Sequence, residues 1–213
     1  LMCGLNGIFS SGGDRDWSSA IQRMNLKMAH RGPDADGVYN NRDITLGHRR
    51  LSIIDLDPRG TQPMHGLGNR YVIVFNGEIY NFREIRRDLE SRRVRFQTES
   101  DTEVLLKFLT FYGLESLEKL NGMFAFALYD KSANKIILAR DPNGIKPLYF
   151  YKNTDQLIFA SEIRAFKEFI SDENDYWRTL FLSYGFIPEP YTKYEDVYML
   201  EPSSFLEFNL TLF

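Results

Sequence analysis

The spacing of hydrophobic positions along this chain changes several times, and each change marks an element. "GLNGIFSS" at the start reads as a short strand ending at Gly12-Gly13. From Asp16 the apolar residues Ala20, Ile21, Met24 and Met28 recur at helical spacing, which predicts a helix after the first strand. "RGPDADG" breaks that helix with glycine, proline and aspartate. "ITLGHRRLSIID" and "RYVIVFNGEIYN" then read as strands, the second folded about Asn76-Gly77 as a tight hairpin. "SDTE" at residues 100–103 has capping-box spacing, with Ser100 to cap and Glu103 to reach back. "VLLKFLTFYG" continues that helix to Gly113.

Beyond it, "GMFAFALYD", "KIILARD", "PLYFY" and "LIFAS" are separated by turn-forming segments, which predicts a meander of antiparallel strands followed by a helix from Ser161. "VYMLEPSSFLEF" reads as a last pair of strands. The apolar runs are nearly continuous, as in strands buried on both faces. The expected fold is therefore α+β, with two sheets packed together and helices outside. No internal repeat, low-complexity tract or linker precedes about residue 185, where "FIPEPYTKY" is proline-rich.

Composition narrows the function classes. A chain of 213 residues, 43% hydrophobic and 15% aromatic, can fill the core of one sizeable domain. Its net charge of -3 gives no broad positive field, so neither nucleic acid nor an anionic membrane is an expected partner. The single cysteine excludes an internal disulfide and fits a reducing, cytoplasmic compartment. His30, His48 and His65 lack zinc-ligand spacing, so no structural metal is expected. The longest apolar run, "MFAFALY", falls far short of the ~20 residues that span a bilayer, and no secretion signal is expected. "SSGGD" resembles the pyrophosphate-binding loop of nucleotide-dependent synthetases, but Asp14-Arg15-Asp16 stand one place out of register, so it reads as a turn. "DADG" has its glycine too early for a calcium loop and lacks the closing glutamate. The arginines of "FREIRRDLESRRVRF" read as the solvated face of a short helix.

The candidate chemistry lies at Cys3. A thiol reacts as thiolate, and its free pKa of about 8.5 calls for a base at neutral pH. If residues 1 and 2 were absent, Cys3 would carry its own α-amino group, whose pKa of roughly 7.7 to 8.0 suits proton transfer near neutrality. Two other readings stand beside this one. Cys3 can be a small buried hydrophobe at the start of a strand, or one half of a thiolate–imidazolium pair with His30 or His48.

"CGLNG", "HRGPDADG", "LGHRRLSIIDL", "QPM", "NGEIYN", "SDTE", "GMFAFALYD", "RDPNGIKPLYF" and "ASEIRA" follow one another across nearly the whole chain. In that order they resemble the class II glutamine amidotransferase domain. The "PD" after the His-Arg-Gly block, with "NGEIYN" and "GIKPLYF", points to the asparagine synthetase branch. The resemblance implies a four-layer αββα sandwich of two antiparallel sheets flanked by helices, the fold of N-terminal-nucleophile hydrolases. It implies a glutaminase domain over residues 3–190, with 191–213 as closing strands and the start of a connection to a C-terminal synthetase domain.

By the same resemblance Cys3 is the nucleophile that attacks the side-chain amide of L-glutamine, giving a glutamyl thioester and ammonia. The Asn76 side chain and the Gly77 N–H would form the oxyanion hole, and Arg50 would fork onto the α-carboxylate. Asp101, with Glu78 nearby, would take the α-ammonium, and the backbone around Ile53 would add a weaker contact. Arg31 and Asp34 would brace the loops around the pocket. On the residues alone, Asn76-Gly77 is equally a turn, Asp101 a first-turn acid, Arg50 an exposed strand residue and Glu78 a cross-strand partner. No cofactor is expected for the hydrolysis; ATP and magnesium belong to the synthetase domain, which would amidate aspartate with the ammonia. A homodimer is compatible with this reading. The alternatives are another acceptor, such as a sugar in surface polysaccharide synthesis, or a non-catalytic binding module. Leu1 and Met2 set the amine two peptide bonds from the nucleophile, so the chain as written is expected to be weak or inactive until trimmed to Cys3.

Overall fold

Strand pairing sorts the chain into two antiparallel sheets. A computed structural model describes residues 2–11, 16–52 and 57–212. In chain order the strands are β1 (Gly4–Ser10), β2 (Ala35–Asn40), β3 (Ile44–Arg50), β4 (Met64–Gly66), β5 (Tyr71–Ile79) and β6 (Gly122–Asp130). They continue as β7 (Lys135–Arg140), β8 (Tyr149–Lys152), β9 (Gln156–Ala160), β10 (Val197–Met199) and β11 (Phe205–Asn209). The helices are α1 (Ser18–Lys27), α2 (Phe82–Ser91), α3 (Asp101–Tyr112) and α4 (Trp177–Tyr184). One sheet has the order β10-β8-β9-β1-β3-β2 and the other β11-β7-β6-β5-β4.

The strands are apolar on both faces because each sheet is covered on both. Leu5 and Phe9 of β1 meet Val72 and Val74 of β5, Ala125 and Ala127 of β6 and Leu138 of β7 in the layer between the sheets. The intervening Ile8 instead packs on α1 through Ile21 and Met24. On the far side, Ile73 and Phe75 of β5 meet Leu89 of α2 and Leu105 and Phe108 of α3. Three apolar layers thus separate four structural ones, the expected αββα order. Burial of each leucine-sized side chain contributes roughly 1.5–3 kcal/mol. Ser100 caps α3 by accepting from the Thr102 N–H at 3.1 Å, and Gly113 ends it at φ 78°, a region that favours glycine. Glu103 turns its carboxylate to the N–H groups of Gln97 and Thr98, bracing the preceding loop. Among the described residues no helix is long and apolar enough to cross a membrane.

Several local expectations give way to tertiary contacts. β5 runs straight through Asn76-Gly77, with no hairpin there: Asn76 pairs with Ala125 and Gly77 with Phe124 of β6. A Cβ on Gly77 would lie 2.2 Å from the Met123 carbonyl oxygen, so the glycine serves close backbone approach rather than a turn. The expected meander is two hairpins in different sheets, β6–β7 in one and β8–β9 in the other. Between them the chain crosses over, folded around the buried Asp141 carboxylate, which accepts the N–H groups of Asn143, Ile145 and Lys146. β10 and β11 likewise do not pair with each other; β10 joins β8 and β11 joins β7. The helix expected from Ser161 is a short 3-10 segment, Ile163–Glu168. "ADG", expected as part of a break, opens β2 against β3. The turn expected at 12–15 lies outside the described residues.

Leu138 is wholly buried between the sheets, whereas Leu182 on α4 is 83% exposed. Leu138→Ala is expected to lower the unfolding free energy by about 2–5 kcal/mol and Leu182→Ala by less than about 0.5 kcal/mol, measured by urea denaturation followed by circular dichroism.

Candidate active site

Strand side chains alternate with period two, and at one end of the sandwich the inward positions change from hydrocarbon to polar. On β1 the inward series Phe9, Leu5 leads back to Cys3; on β3 the series Ile44, Leu46 leads on to His48 and Arg50. On β5, Val72 and Val74 are followed by Asn76 and Glu78, and on β6, Ala127 and Ala125 are preceded by Met123. Cys3, Arg50, Asn76, Glu78 and Met123 wall a cavity of about 110 Å³, joined by Asp101 from the first turn of α3 and Lys146 from the crossover.

The Cys3 sulfur is tethered to the end of β3, accepting from the Leu51 N–H at 3.3 Å and lying 3.6 Å from the Leu51 carbonyl oxygen. Burial pushes the thiol pKa up and the Asp101 charge adds to this, while the Leu51 contact, Arg50 and Arg31 act the other way. Arg31 donates to the Cys3 carbonyl at 2.9 Å and pairs with Glu162 at 3.1 Å, and Asp34 accepts the Ser52 N–H at 2.7 Å. Both therefore brace the loops beside the cavity.

Asn76 is 1% exposed, yet among the described residues neither its Oδ1 nor its Nδ2 has a hydrogen-bond partner. An unsatisfied buried polar group costs roughly 1–3 kcal/mol, so its place on a cavity wall points to a ligand. Along the open edge of β5, the Phe75 N–H donates to Gln62 Oε1 at 2.6 Å and the Ile79 N–H to Asp101 Oδ2 at 3.2 Å. The Gly77 N–H lies between them and points to the same edge, since peptide directions alternate along a strand. Cavity and edge thus present an unpaired amide and a backbone donor side by side.

Arg50 is held against the loop that follows β3, donating from Nη1 to the Asp57 carbonyl at 3.0 Å and the Thr61 hydroxyl at 3.3 Å. A Cβ on Gly60 would stand 2.7 Å from Arg50 Nη2, so glycine makes room for the guanidinium. Burial, helped by the neighbouring Glu78 charge, raises the Asp101 carboxyl to about 6. A positive ligand would relieve that cost.

Neither histidine pairs with the thiol. His48 is fully buried and donates from Nε2 to the Phe75 carbonyl at 3.0 Å, tying the sheets together behind Asn76; burial drives its pKa down to about 4 and keeps it neutral. His30 pairs with Glu162 at 2.8 Å. The thiolate–imidazolium reading is thereby corrected. Ile53 and Leu1 lie outside the described residues. Sequence reasoning passed over Lys146 and Gln62. Gln62 bonds both Phe75 and Thr102, joining β5 to α3. Lys146 had a visible signal: an ionisable residue within the apolar "GIKPLYF". Among the described residues no group of His, Cys, Asp or Glu could hold a metal ion.

Two antiparallel sheets packed face to face, with helices on both outer faces and Cys3 at the mouth between them, have the architecture of N-terminal-nucleophile hydrolases. Comparison with known proteins goes further, because the family model for the glutamine amidotransferase domain matches residues 2–211, and the chain belongs to that family. It is 42% identical over 208 residues to an asparagine synthetase (glutamine-hydrolyzing) of Bacillus subtilis, covering 95% of this chain and 33% of that protein. With asparagine synthetase B (glutamine-hydrolyzing) of Escherichia coli it shares 40% identity, over 77% of this chain and 30% of the other. The chain thus spans about a third of the length of these relatives. A solved glutamine phosphoribosylpyrophosphate amidotransferase from B. subtilis matches with a TM-score of 0.66 at 25% identity, over 78% of this chain and 43% of that one.

The Asp101 carboxyl titrates higher in the folded chain than its unfolded value of about 3.9, so its contribution to stability is present in acid and lost as pH rises through about 6. Asp101→Asn is therefore expected to stabilise the protein by about 2 kcal/mol at pH 8 and to lose that advantage near pH 4, read from urea unfolding at both pH values.

Proposed function

We propose that this domain hydrolyses the side-chain amide of L-glutamine through Cys3. The observation that carries the reading is the buried Asn76 amide on the wall of the Cys3 cavity, which has no hydrogen-bond partner among the described residues. A developing oxyanion needs donors already aimed at it, and the Asn76 Nδ2 and Gly77 N–H supply two. Arg50 would take the substrate α-carboxylate as a fork, and Asp101 with Glu78 the α-ammonium. Glutamine, placed this way, would present its amide carbon to the sulfur.

In the forward step the Cys3 thiolate bonds to the amide carbon, and the carbonyl electrons move onto the oxygen. As the carbonyl re-forms, the C–N bond breaks and ammonia leaves with a proton returned by the base. Water then cleaves the thioester and gives glutamate. The base is the α-amine of Cys3, which becomes available once Leu1 and Met2 are removed; peptide-bonded to Met2, that nitrogen is not basic. No cofactor takes part in these steps.

The relatives are named for asparagine synthesis, and most of their length lies outside the match. We assign residues 3–190 to the glutaminase and 191–213 to the lead into a C-terminal synthetase half. That half would bind ATP and magnesium and use the ammonia to amidate aspartate, in the cytoplasm.

Three outcomes follow from these roles. Protein beginning at Cys3 releases ammonia from glutamine and forms a single Cys3 adduct with an electrophilic glutamine analogue, seen by mass spectrometry. Equal ammonia release by the untrimmed chain would remove the amine from the mechanism, and absence of both activity and adduct would remove the reading. Asn76→Ala in the trimmed protein lowers kcat by about 10²-fold or more, with the adduct still detectable. KM for glutamine rises as pH falls through about 6, where Asp101 gains its proton, and this dependence disappears in Asp101→Asn.

A further inference from the structure

The cavity holds a cation that the reaction above leaves unused. Lys146 is 5% exposed, and its Nζ meets, among the described residues, only the Met2 thioether, a weak acceptor, at 3.0 Å. An ammonium has three donors, and burial with so little compensation is costly. Its backbone is held on both sides: the Lys146 N–H donates to Asp141 at 2.9 Å, and its carbonyl accepts from Arg140 at 3.0 Å. The crossover is therefore built to aim this side chain. Arg31 Nη2 approaches the same sulfur at 3.9 Å, so two cations converge on residue 2. Residue 2 is bonded to the nitrogen that would become the Cys3 amine.

We propose that Lys146 lowers the proton affinity of the Cys3 amino group and thiol together, so that the amine is a free base and the thiol ionises at neutral pH. Lys146 acts through those groups and does not hold glutamine. The inference rests on the glutaminase reading for its purpose, but its physical content is a charge beside Cys3. Burial and Arg31 already weaken the hold of Lys146 on its own proton, while the Cys3, Asp141 and Glu78 charges strengthen it. The other charged groups facing the cavity divide by sign. Arg31 and Arg50 act with Lys146, whereas Asp101 and Glu78 oppose it. Glu162 partly neutralises Arg31 at 3.1 Å, and the Asp141 carboxylate is taken up by backbone N–H groups. Lys146 has no carboxylate at ion-pair distance among the described residues, so its field at the amine is less compensated.

The test compares Lys146→Met and Lys146→Arg with the parent, all beginning at Cys3. The first readout is the rate of alkylation by iodoacetamide against pH, which needs no glutamine and reports one thiol. The second is the pH profile of ammonia release. Loss of the charge in Lys146→Met is expected to move the acid limb of both profiles up by roughly one pH unit. A thiolate of higher pKa is also intrinsically more nucleophilic, by about threefold per unit, so alkylation falls about fourfold at pH 6 yet equals or exceeds the parent at the alkaline plateau. The two curves cross, which a folding defect would not produce. Lys146→Arg keeps the limb in place. Profiles that superimpose, or that drop equally at every pH, overturn the proposal. A raised KM for glutamine with both limbs unmoved overturns it too, by making Lys146 a substrate ligand. If the alkylation curves cross but no variant releases ammonia, the charge effect stands and the glutaminase reading fails.

Discussion

The arrangement depends on one geometric constraint, the alternation of side chains along strands in two sheets stacked face to face. Each strand sends every second residue into the space between the sheets, and there Leu5, Phe9, Val72, Val74, Ala125, Ala127 and Leu138 make a dry layer. The same count, continued to one end of the sandwich, delivers Cys3, Arg50, Asn76 and Glu78 to a common space. The site is the inter-sheet core carried past its last hydrocarbon. Hydrophobic packing, the strongest force in the molecule, therefore also sets the relative positions of the polar groups to which we assign the chemistry.

Those polar groups are individually unfavourable where they sit. The buried Asn76 side-chain amide has no hydrogen-bond partner among the described residues, Asp101 is buried with its pKa raised to about 6, and Lys146 is buried against a thioether. Such groups persist only where surrounding structure holds them. Here the surroundings are rigid: His48 bridges the sheets through the Phe75 carbonyl, Gln62 fastens the β5 edge to α3, and Asp141 organises the crossover. Each bracing contact is a buried hydrogen bond, which resists displacement more than a solvent-exposed one would. Stability from the three apolar layers offsets the cost of holding these groups at the cavity wall.

Local pattern made much of this legible. The nearly continuous apolar runs of β5, β6, β7 and β9, the helical spacing of α1 and the capping residues that open α3 are written in neighbouring residues, so a window of ten suffices to see them. Asn76-Gly77 shows where such a window misleads. Its intrinsic preference is a turn, but β6 offers a full ladder of partners across it, and the close approach at Gly77 replaces the turn as the reason for glycine. The supposed meander fails for a related cause. Turn residues announce that a strand ends without saying which sheet receives the next one, and that choice belongs to the packing of Leu148 and its neighbours between the sheets. Lys146 went unassigned because an ionisable residue in an apolar run signals burial without naming its surroundings.

By itself, the sequence determined the chemistry available: one thiol near the amino terminus, an amide, a guanidinium and paired acids, in motifs that mark the amidotransferase family, on strands apolar on both faces. These are properties of residue type and near-neighbour spacing, and they survive without coordinates. Only the tertiary structure decided that His48 is a neutral tie between sheets, that the Asn76 amide finds no partner among the described residues, and that Lys146 leans over residue 2. Those outcomes depend on distances between residues far apart in the chain, which pairing register and burial impose and no local window contains.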